Sequence, residues 1–310
     1  MSSDMWARSR ASSPAVDAPP ALSAAALAEV PGVLGKIARE RLEDYRDVPV
    51  GSAGDVRGDV ALAARHEPPA FAQALRSPGL SIIAEIKRSS PSQGAIAPLD
   101  PVVAARAYRD GGAAALSVLT EPRHFGGKLE HLAMVREAMV SEDMVSEAMV
   151  REEQLHDRAA LPILRKDFTV HPVQLLEARA MGASAVLLIV ALTGMYTSSY
   201  LRFASDLGLD ALVEVHDEAE LDVALEAGAQ LIGVNNRDLR SLEIDLATAP
   251  KLLAIARDSG YEGVLVAESG YRRREELVPL DGLAHAVLVG TSVAGSGDLA
   301  AAVRRLLNRD

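Results

Sequence analysis

The stretch IAEIKRSSPSQG, residues 83–94, begins as a buried strand and ends as a polar loop, and this change fits two kinds of sheet. Alternate side chains of a strand share a face, so Ile83, Glu85 and Lys87 point to the same side. An acid and a base on that side fit an edge strand with a solvated face. They fit equally a barrel strand whose carboxyl end opens into an active site, and the rest of the chain distinguishes the two.

Apolar, β-branched runs alternate with helical runs rich in Ala, Leu and Glu from Ser81 onward. Eight runs are interpreted as strands, and they begin at Ser81, Ala113, Leu161, Ser184, Asp210, Gln230, Glu262 and His285. Continuous apolar runs indicate strands buried on both faces, as in parallel sheets covered by helices. Eight βα units over about 230 residues predict a closed (β/α)8 TIM barrel. A doubly wound open sheet is the alternative, although no G-x-G-x-x-G motif follows the first strand.

The segments outside this alternation set the expected domain organisation. Residues 1–30 are rich in Ala, Ser and Pro and are predicted to be a disordered tail. Apolar positions in residues 33–48 have helical spacing, which predicts an N-terminal helical extension. We therefore expect one barrel domain with that extension over residues 31–310.

A pentad repeat, MVREA-MVSED-MVSEA-MVREE, occupies residues 134–153 between the second and third strands. Five residues turn a helix by about 500°, so the Met-Val pairs do not form a single apolar stripe. The composition still favours a helix. The repeat is interpreted as a helical insertion, and the alternative is a partner-binding helix with adaptable exposed methionines.

Composition excludes several classes of protein. The 310 residues include no cysteine, which excludes disulfides, thiolate metal sites and a cysteine nucleophile. The net charge of -11 argues against nucleic acid as a partner. No apolar run reaches membrane-spanning length, and no signal peptide is recognisable. We expect a cytoplasmic protein, a monomer or weak homo-oligomer, acting on a small molecule.

Polar residues end six of the predicted strands, where barrel enzymes hold their chemistry. They are Glu85 and Lys87, Lys166, Glu214, Asn235, Glu268, and Gly290 with Thr291. After the last two strands, Ser269-Gly270 and Gly290-Thr291 combine glycine with free backbone N–H groups, which favours an anion site for a phosphate.

Two lysines and three glutamates remain. Three carboxylates could hold Mg²⁺, but two lysines on the same rim would compete for them. Lys–Glu acid–base pairs are therefore the preferred interpretation. His216 beside Glu214 is expected to be a hydrogen-bond partner.

These residues, in this order, resemble the indole-3-glycerol phosphate synthase family. The matching stretches are IAEIKRSSPSQG, SVLTEPRHFGG, ILRKDF, LVEVH, GVNNRDL, VAESG and LVGTS. The resemblance implies a phosphorylated substrate, 1-(2-carboxyphenylamino)-1-deoxyribulose 5-phosphate, which loses CO2 and water as an indole ring closes. It implies no cofactor and no metal.

The resemblance also assigns roles to residues. Lys166 is the implied general acid at the ketone oxygen, and the remaining acid–base set is Glu85, Lys87 and Glu214. Asn235 is implied to order the intermediates, and Glu268 to orient its neighbours. The implied phosphate contacts are Ser269, Gly270, Gly290 and Thr291, and those to the aromatic ring and its carboxylate are Ser90, Phe125 and Arg237.

Other functions stay open at this point. Lys166 could be the nucleophile of a Schiff-base aldolase. The neighbouring pathway isomerase, also a phosphate-binding barrel, uses a cysteine base that this chain lacks. A non-catalytic paralogue that binds a phosphorylated ligand, or an interaction protein acting through the pentad helix, represents a different class.

Overall fold

The chain folds into a closed barrel of eight parallel strands, seen in a computed structural model that describes residues 18–48, 68–90, 94–95, 99–147 and 160–308. The barrel strands are β1 Ser81–Ile86, β2 Ala115–Leu119, β3 Ile163–Lys166, β4 Ala185–Ile189, β5 Asp210–Val215, β6 Leu231–Asn235, β7 Val264–Glu268 and β8 Ala286–Val289. Each strand pairs with the next, and β1 pairs with both β2 and β8. The predicted (β/α)8 barrel is confirmed, and the open sheet is wrong.

Register at the point of closure shows why the strands are apolar along their length. Ile83 lies opposite Ala115 of β2 and Leu288 of β8. All six residues of β1 are buried, including Glu85. A strand with barrel neighbours on both edges and helices outside has no solvated face, so only the carboxyl end admits charged groups.

Helices cover the outside of the barrel, and further helices precede the first strand. The α-helices are Ala24–Ala28, Gly32–Asp44, Phe71–Ala74, Pro101–Asp110, Leu129–Glu147, Val173–Ala180, Val190–Thr193, Thr197–Asp206, Glu218–Glu226, Thr248–Asp258, Thr291–Ala294 and Leu299–Leu307. In the described ranges, 3-10 helices span Gly194–Tyr196 and Arg274–Leu280. Ser89–Ser90 pairs with Gly94–Ala95 as a small antiparallel hairpin.

Aspartates fix where several of these helices begin. The Asp100 carboxylate accepts from the N–H groups of Val102 and Val103, and Pro101 occupies the first helical position. Asp298 caps the last helix by accepting from the Ala301 N–H.

The predicted tail extends too far. Residues 1–17 lie outside the described ranges, but Ala24–Ala28 is helical with a Ser23 cap. The physical reason is apolar burial, because Leu22 and Leu27 are buried in the core. The extension helix predicted over residues 33–48 spans Gly32–Asp44. The division into a tail and one domain stays a prediction.

The pentad repeat lies partly within Leu129–Glu147, and residues 148–153 lie outside the described part of the chain. Within the described part of the repeat, the Met-Val pairs do not share one face, because Met134 is exposed and Met139 is buried. Leu132, Val135 and Met139 are fully buried, whereas Met134 is 44% exposed. Spacings of three and four residues place the buried side chains on one face.

Within the residues that the structure describes, no helix combines the length and apolarity required to span a bilayer.

Candidate active site

Four charged residues form one layer at the carboxyl end of the barrel. Glu85, Lys166, Glu214 and Glu268 come from the odd-numbered strands β1, β3, β5 and β7. Alternate strands supply each layer of a barrel interior, and such layers are ordinarily filled by Val, Ile or Leu. A layer of one lysine and three glutamates is costly unless the charges are paired, so this layer marks the site.

Lys166 is held between two carboxylates. Its Nζ donates to Glu214 Oε2 and to Glu268 Oε2, both at 2.7 Å. Burial lowers the pKa of the Lys166 ammonium, but the charges of Glu214 and Glu268 outweigh burial, and the pKa is raised. Lys166 is therefore a fixed ammonium at neutral pH.

The two carboxylates beside Lys166 differ in their protonation. Burial raises the pKa of Glu214, but Lys166 and His216 together lower it below its ordinary value. For Glu268 the effect of burial is the largest, and it raises the pKa to about 7 although the Lys166 charge lowers it. One lysine cannot fully compensate two buried acids, so Glu268 titrates near neutral pH.

A second Lys–Glu pair lies at the end of β1. Lys87 Nζ is 3.2 Å from Glu85 Oε1, with side chains 16% and 6% exposed. Lys87 Nζ also lies 5.5 Å from the centre of the Phe125 ring, a cation–π distance. The acid and the base on β1 therefore face a cavity and not bulk solvent.

Asn235 connects the charged layer to the loop after β6. Its Nδ2 donates to Glu214 Oε1 at 3.0 Å, and its Oδ1 accepts from the Arg237 backbone N–H at 3.0 Å. The Arg237 guanidinium donates to the Leu242 carbonyl at 2.9 Å and lines the cavity. The amide therefore fixes the carboxylate and the start of the loop at once.

Two glycines make room for the buried acids. A Cβ at Gly290 would lie 2.5 Å from Glu85 Oε1, and one at Gly233 would lie 2.1 Å from Glu268 Oε1. Gly290 was expected to permit approach of a phosphate, and the structure gives it this additional reason. Gly233 was not singled out from the sequence, and no local signal distinguishes it from an ordinary strand glycine.

The loops after β7 and β8 differ in backbone conformation. Ser269 and Gly270 have φ of +67° and +97°, so this turn is left-handed at two successive residues. Asn236 Nδ2 donates to the Ser269 carbonyl at 3.0 Å and helps to hold the turn. Thr291 begins a short helix after Gly290. The Ser292 hydroxyl is buried without a hydrogen-bond partner among the described residues.

Most of these groups surround one cavity of about 270 Å³. Twelve of the predicted site residues line it: Glu85, Lys87, Phe125, Lys166, Glu214, Asn235, Arg237, Glu268, Ser269, Gly270, Gly290 and Thr291. The side chain of Ser90 lies outside what the structure describes. The assigned roles of these residues stay predictions.

Sequence reasoning missed the apolar wall of the cavity. The helix Gly32–Asp44 contributes Val33, Leu34 and Ile37. Phe168 packs near Phe125 with ring centres 6.0 Å apart. These residues have the pattern of ordinary core positions in the sequence. Ser292 was also missed, although its position next to Gly290-Thr291 gave a usable signal.

A buried polar network holds the helix Gly32–Asp44 against the end of β3. Asp167, which follows Lys166, accepts from Arg41 Nε at 3.0 Å, from Arg41 Nη2 at 2.8 Å and from Thr120 Oγ1 at 2.7 Å. Arg165 Nη2 lies 3.1 Å from the same carboxylate. Residues far apart in sequence thus fix the backbone next to the Lys166 ammonium.

No group of three or more histidine or acidic side chains in the described ranges is arranged to hold a metal ion. The glutamates of the charged layer are paired with lysines: Glu85 with Lys87, and Glu214 and Glu268 with Lys166.

The fold and the site together define a (β/α)8-barrel protein whose cavity is built around buried lysine–glutamate pairs. Residues 35–306 match the family model described as indole-3-glycerol phosphate synthase, and the chain belongs to that family. The match supports the ring-closing lyase and not the aldolase or non-catalytic alternatives.

Individual relatives agree with the family. The indole-3-glycerol phosphate synthase of Deinococcus radiodurans is 53% identical over 289 residues, covering 91% of this chain and 97% of the relative. That of Mycobacterium ulcerans is 46% identical over 250 residues, covering 80% and 84%.

Solved structures show the fold alone. Thiamine phosphate pyrophosphorylase from Pyrococcus furiosus has a TM-score of 0.51 at 17% identity, covering 76% of this chain and 96% of that chain. A structure of KGPDC from Streptococcus mutans has a TM-score of 0.52 at 13% identity, covering 74% and 97%.

Proposed function

We propose that this barrel converts 1-(2-carboxyphenylamino)-1-deoxyribulose 5-phosphate into indole-3-glycerol phosphate, with Lys166 as the general acid of ring closure. The observation that carries the assignment is the Lys166 ammonium, held 2.7 Å from both Glu214 and Glu268 in the wall of the cavity. Attack by the aromatic ring carbon on the ketone carbon places negative charge on one oxygen. A fixed ammonium donates its proton to that oxygen as the C–C bond forms.

The later steps need an acid and a base together. Loss of CO2 returns its bonding electrons to the ring, and dehydration then removes the hydroxyl and a proton from the neighbouring CH2. Glu214 is the proposed base, because Asn235 and Lys166 hold it as a carboxylate. The Lys87–Glu85 pair is the proposed second acid–base set, and Glu268, with its pKa raised by burial to about 7, orients Lys166.

The aromatic part of the substrate is proposed to bind near Phe125. Phe125 and Phe168 are tilted neighbours that line the cavity, with Lys87 above the Phe125 ring. Arg237 supplies a cation for the ring carboxylate, and Ser90 remains a proposed contact on the strength of the resemblance alone.

The phosphate is proposed to bind the loops that follow β7 and β8. The left-handed turn at Ser269 and Gly270 and the helix start at Thr291 present backbone N–H groups, and the Ser292 hydroxyl lacks a partner in the described structure. Ser292→Ala should raise KM with little change in kcat, and inorganic phosphate should compete with substrate. A bulky residue at Gly270 is a poor probe, since a Cβ there would lie 2.7 Å from Ile244 and Leu246.

The function is tested by following the appearance of indole absorbance and fluorescence from the carboxyphenylamino-ribulose phosphate. Trp6 is the only tryptophan, so the protein background in fluorescence is low. Product should form without added metal or cofactor, and Lys166→Met measured in parallel controls for uncatalysed closure. Absence of product from folded protein would contradict the proposal.

Three further expectations stay predictions: location in the cytoplasm, a monomeric or weakly homo-oligomeric state, and a partner contact through the pentad helix. Among the side chains that the structure describes in this helix, the exposed Met134 speaks for the last.

A further inference from the structure

His216 separates two cavities at the end of β5. Glu214 lines the cavity of the charged layer, whereas His216, two residues later, lines a neighbouring cavity of about 730 Å³ and not the first one. Asn235 borders both cavities. His216 therefore reaches Glu214 from the side away from the proposed substrate.

The imidazole is held between two carboxylates. Its Nε2 lies 3.3 Å from Glu214 Oε1, and this buried nitrogen has no aligned hydrogen-bond partner among the described residues. Its Nδ1 lies 2.9 Å from Glu220 Oε2, which also accepts from the His216 backbone N–H at 2.9 Å. Glu220 thus fixes the orientation of the His216 ring, and the buried Nε2 faces the Glu214 carboxylate.

The surroundings keep His216 positively charged. Burial lowers its pKa, but Glu214 and Glu220 outweigh burial and raise the pKa to about 10. The other charged groups around the neighbouring cavity are mainly acidic: Glu29, Asp217, Asp238, Arg240, Glu243 and Asp245. The net negative charge of these groups also favours the protonated, positively charged form of the His216 ring.

Glu214 needs a second cation at one stage of the reaction. In the resting site its Oε2 accepts from Lys166, and its Oε1 accepts from the neutral amide of Asn235. When Lys166 gives its proton to the ketone oxygen, the ammonium charge beside Glu214 disappears. A buried carboxylate without a neighbouring cation is costly and tends to take up a proton.

We propose that His216, oriented by Glu220, is a positioning residue that holds Glu214 as an ionised, correctly directed carboxylate while Lys166 is without its proton. The inference rests on the proposed function, since it acts through Glu214. His216 does not contact the proposed substrate, so its effect should fall on turnover and its pH dependence.

The kcat–pH profile of His216→Gln tests this proposal. Glutamine keeps a polar side chain but removes the positive charge, so the acidic limb of kcat should move to higher pH by about one unit or more. KM for the substrate should change little. The matched control is Glu218→Gln. Glu218 is an exposed acid on the helix that carries Glu220, and it pairs with Lys251. Its neutralisation should leave the kcat–pH profile in place.

Glu220→Gln provides a second, independent variant. It keeps an acceptor for the His216 backbone N–H but withdraws a charge that raises the pKa of the imidazole. The acidic limb of kcat should therefore move in the same direction as in His216→Gln but by less, because an imidazole that Glu220 no longer pairs with supports the Glu214 carboxylate less well.

The possible results separate the inference from the function on which it rests. A uniform fall in kcat, with neither limb displaced in either variant, would mean a purely structural role and would overturn the inference. Glu214→Gln should be measured alongside. If it retains parental turnover, the proposed role of Glu214 fails; if it is inactive while the limbs stay fixed, only the inference about His216 fails.

Discussion

Replacing Lys166 by methionine should separate its role in the reaction from its role in stability. Methionine keeps much of the bulk of the side chain and removes the ammonium that lies 2.7 Å from both Glu214 and Glu268. A positioned general acid contributes about 10²–10⁴-fold to a rate, so ring closure should slow by that amount. Binding should persist, because the phosphate loops belong to β7 and β8.

The same substitution should make stability depend on pH. Removing one partner of a buried ion pair costs about 3–5 kcal/mol, and here two carboxylates lose their shared partner. Without Lys166, burial leaves the pKa of Glu268 above the unfolded value of about 4.3, whereas His216 still faces the Glu214 carboxylate. Stability from a group with a raised pKa is present below the unfolded value and is lost as pH rises through the folded pKa. The variant should therefore be weakest, relative to the parent, near pH 8 and should recover toward pH 5.

Two assays measure these effects. Single-turnover kinetics report ring closure directly, and urea unfolding at pH 5 and pH 8 reports stability. Lys87→Met is the comparison variant, since Lys87 pairs with Glu85 at 3.2 Å and lies above the Phe125 ring. It should weaken binding as well as turnover.

One kinetic result would refute the reasoning. Ring closure at nearly the parental rate in folded Lys166→Met would remove Lys166 from the general-acid role and transfer that role to Lys87. A pH-independent loss of stability would show that Glu268 finds another cation.

Three other outcomes are expected. Glu268→Gln removes an acid whose pKa is raised to about 7; it should impair turnover and raise the free energy of unfolding at pH 8 by about 1–3 kcal/mol, but not at pH 4, in urea titrations. Asp167→Asn withdraws the buried anion that accepts two hydrogen bonds from Arg41 and should cost about 3–5 kcal/mol, with a lower melting temperature as readout. Within the pentad helix, Met139→Ala should cost about 2–5 kcal/mol because Met139 is fully buried, whereas Met134→Ala, at 44% exposed, should be nearly neutral by the same measurement.

The barrel and most of its site could be predicted from the order of residues alone. Eight apolar runs of strand length, separated by helical runs, leave few arrangements other than a closed parallel barrel. Charged residues at the ends of buried strands are energetically unfavourable without partners. Lys166, Glu214 and Glu268 could therefore be identified one by one before their contacts were known.

The partners that those charges take depend on the three-dimensional fold. Asp167 meets Arg41 across 126 positions of sequence, and Gly290 provides the space that Glu85 occupies. Local periodicity carries no information about such pairs, because strand closure and helix docking bring them together. His216 shows the limit most directly. Its alternation along β5 places it on the same face as Glu214, yet the fold directs the two side chains to different cavities, since the strand ends at Val215 and the chain turns there.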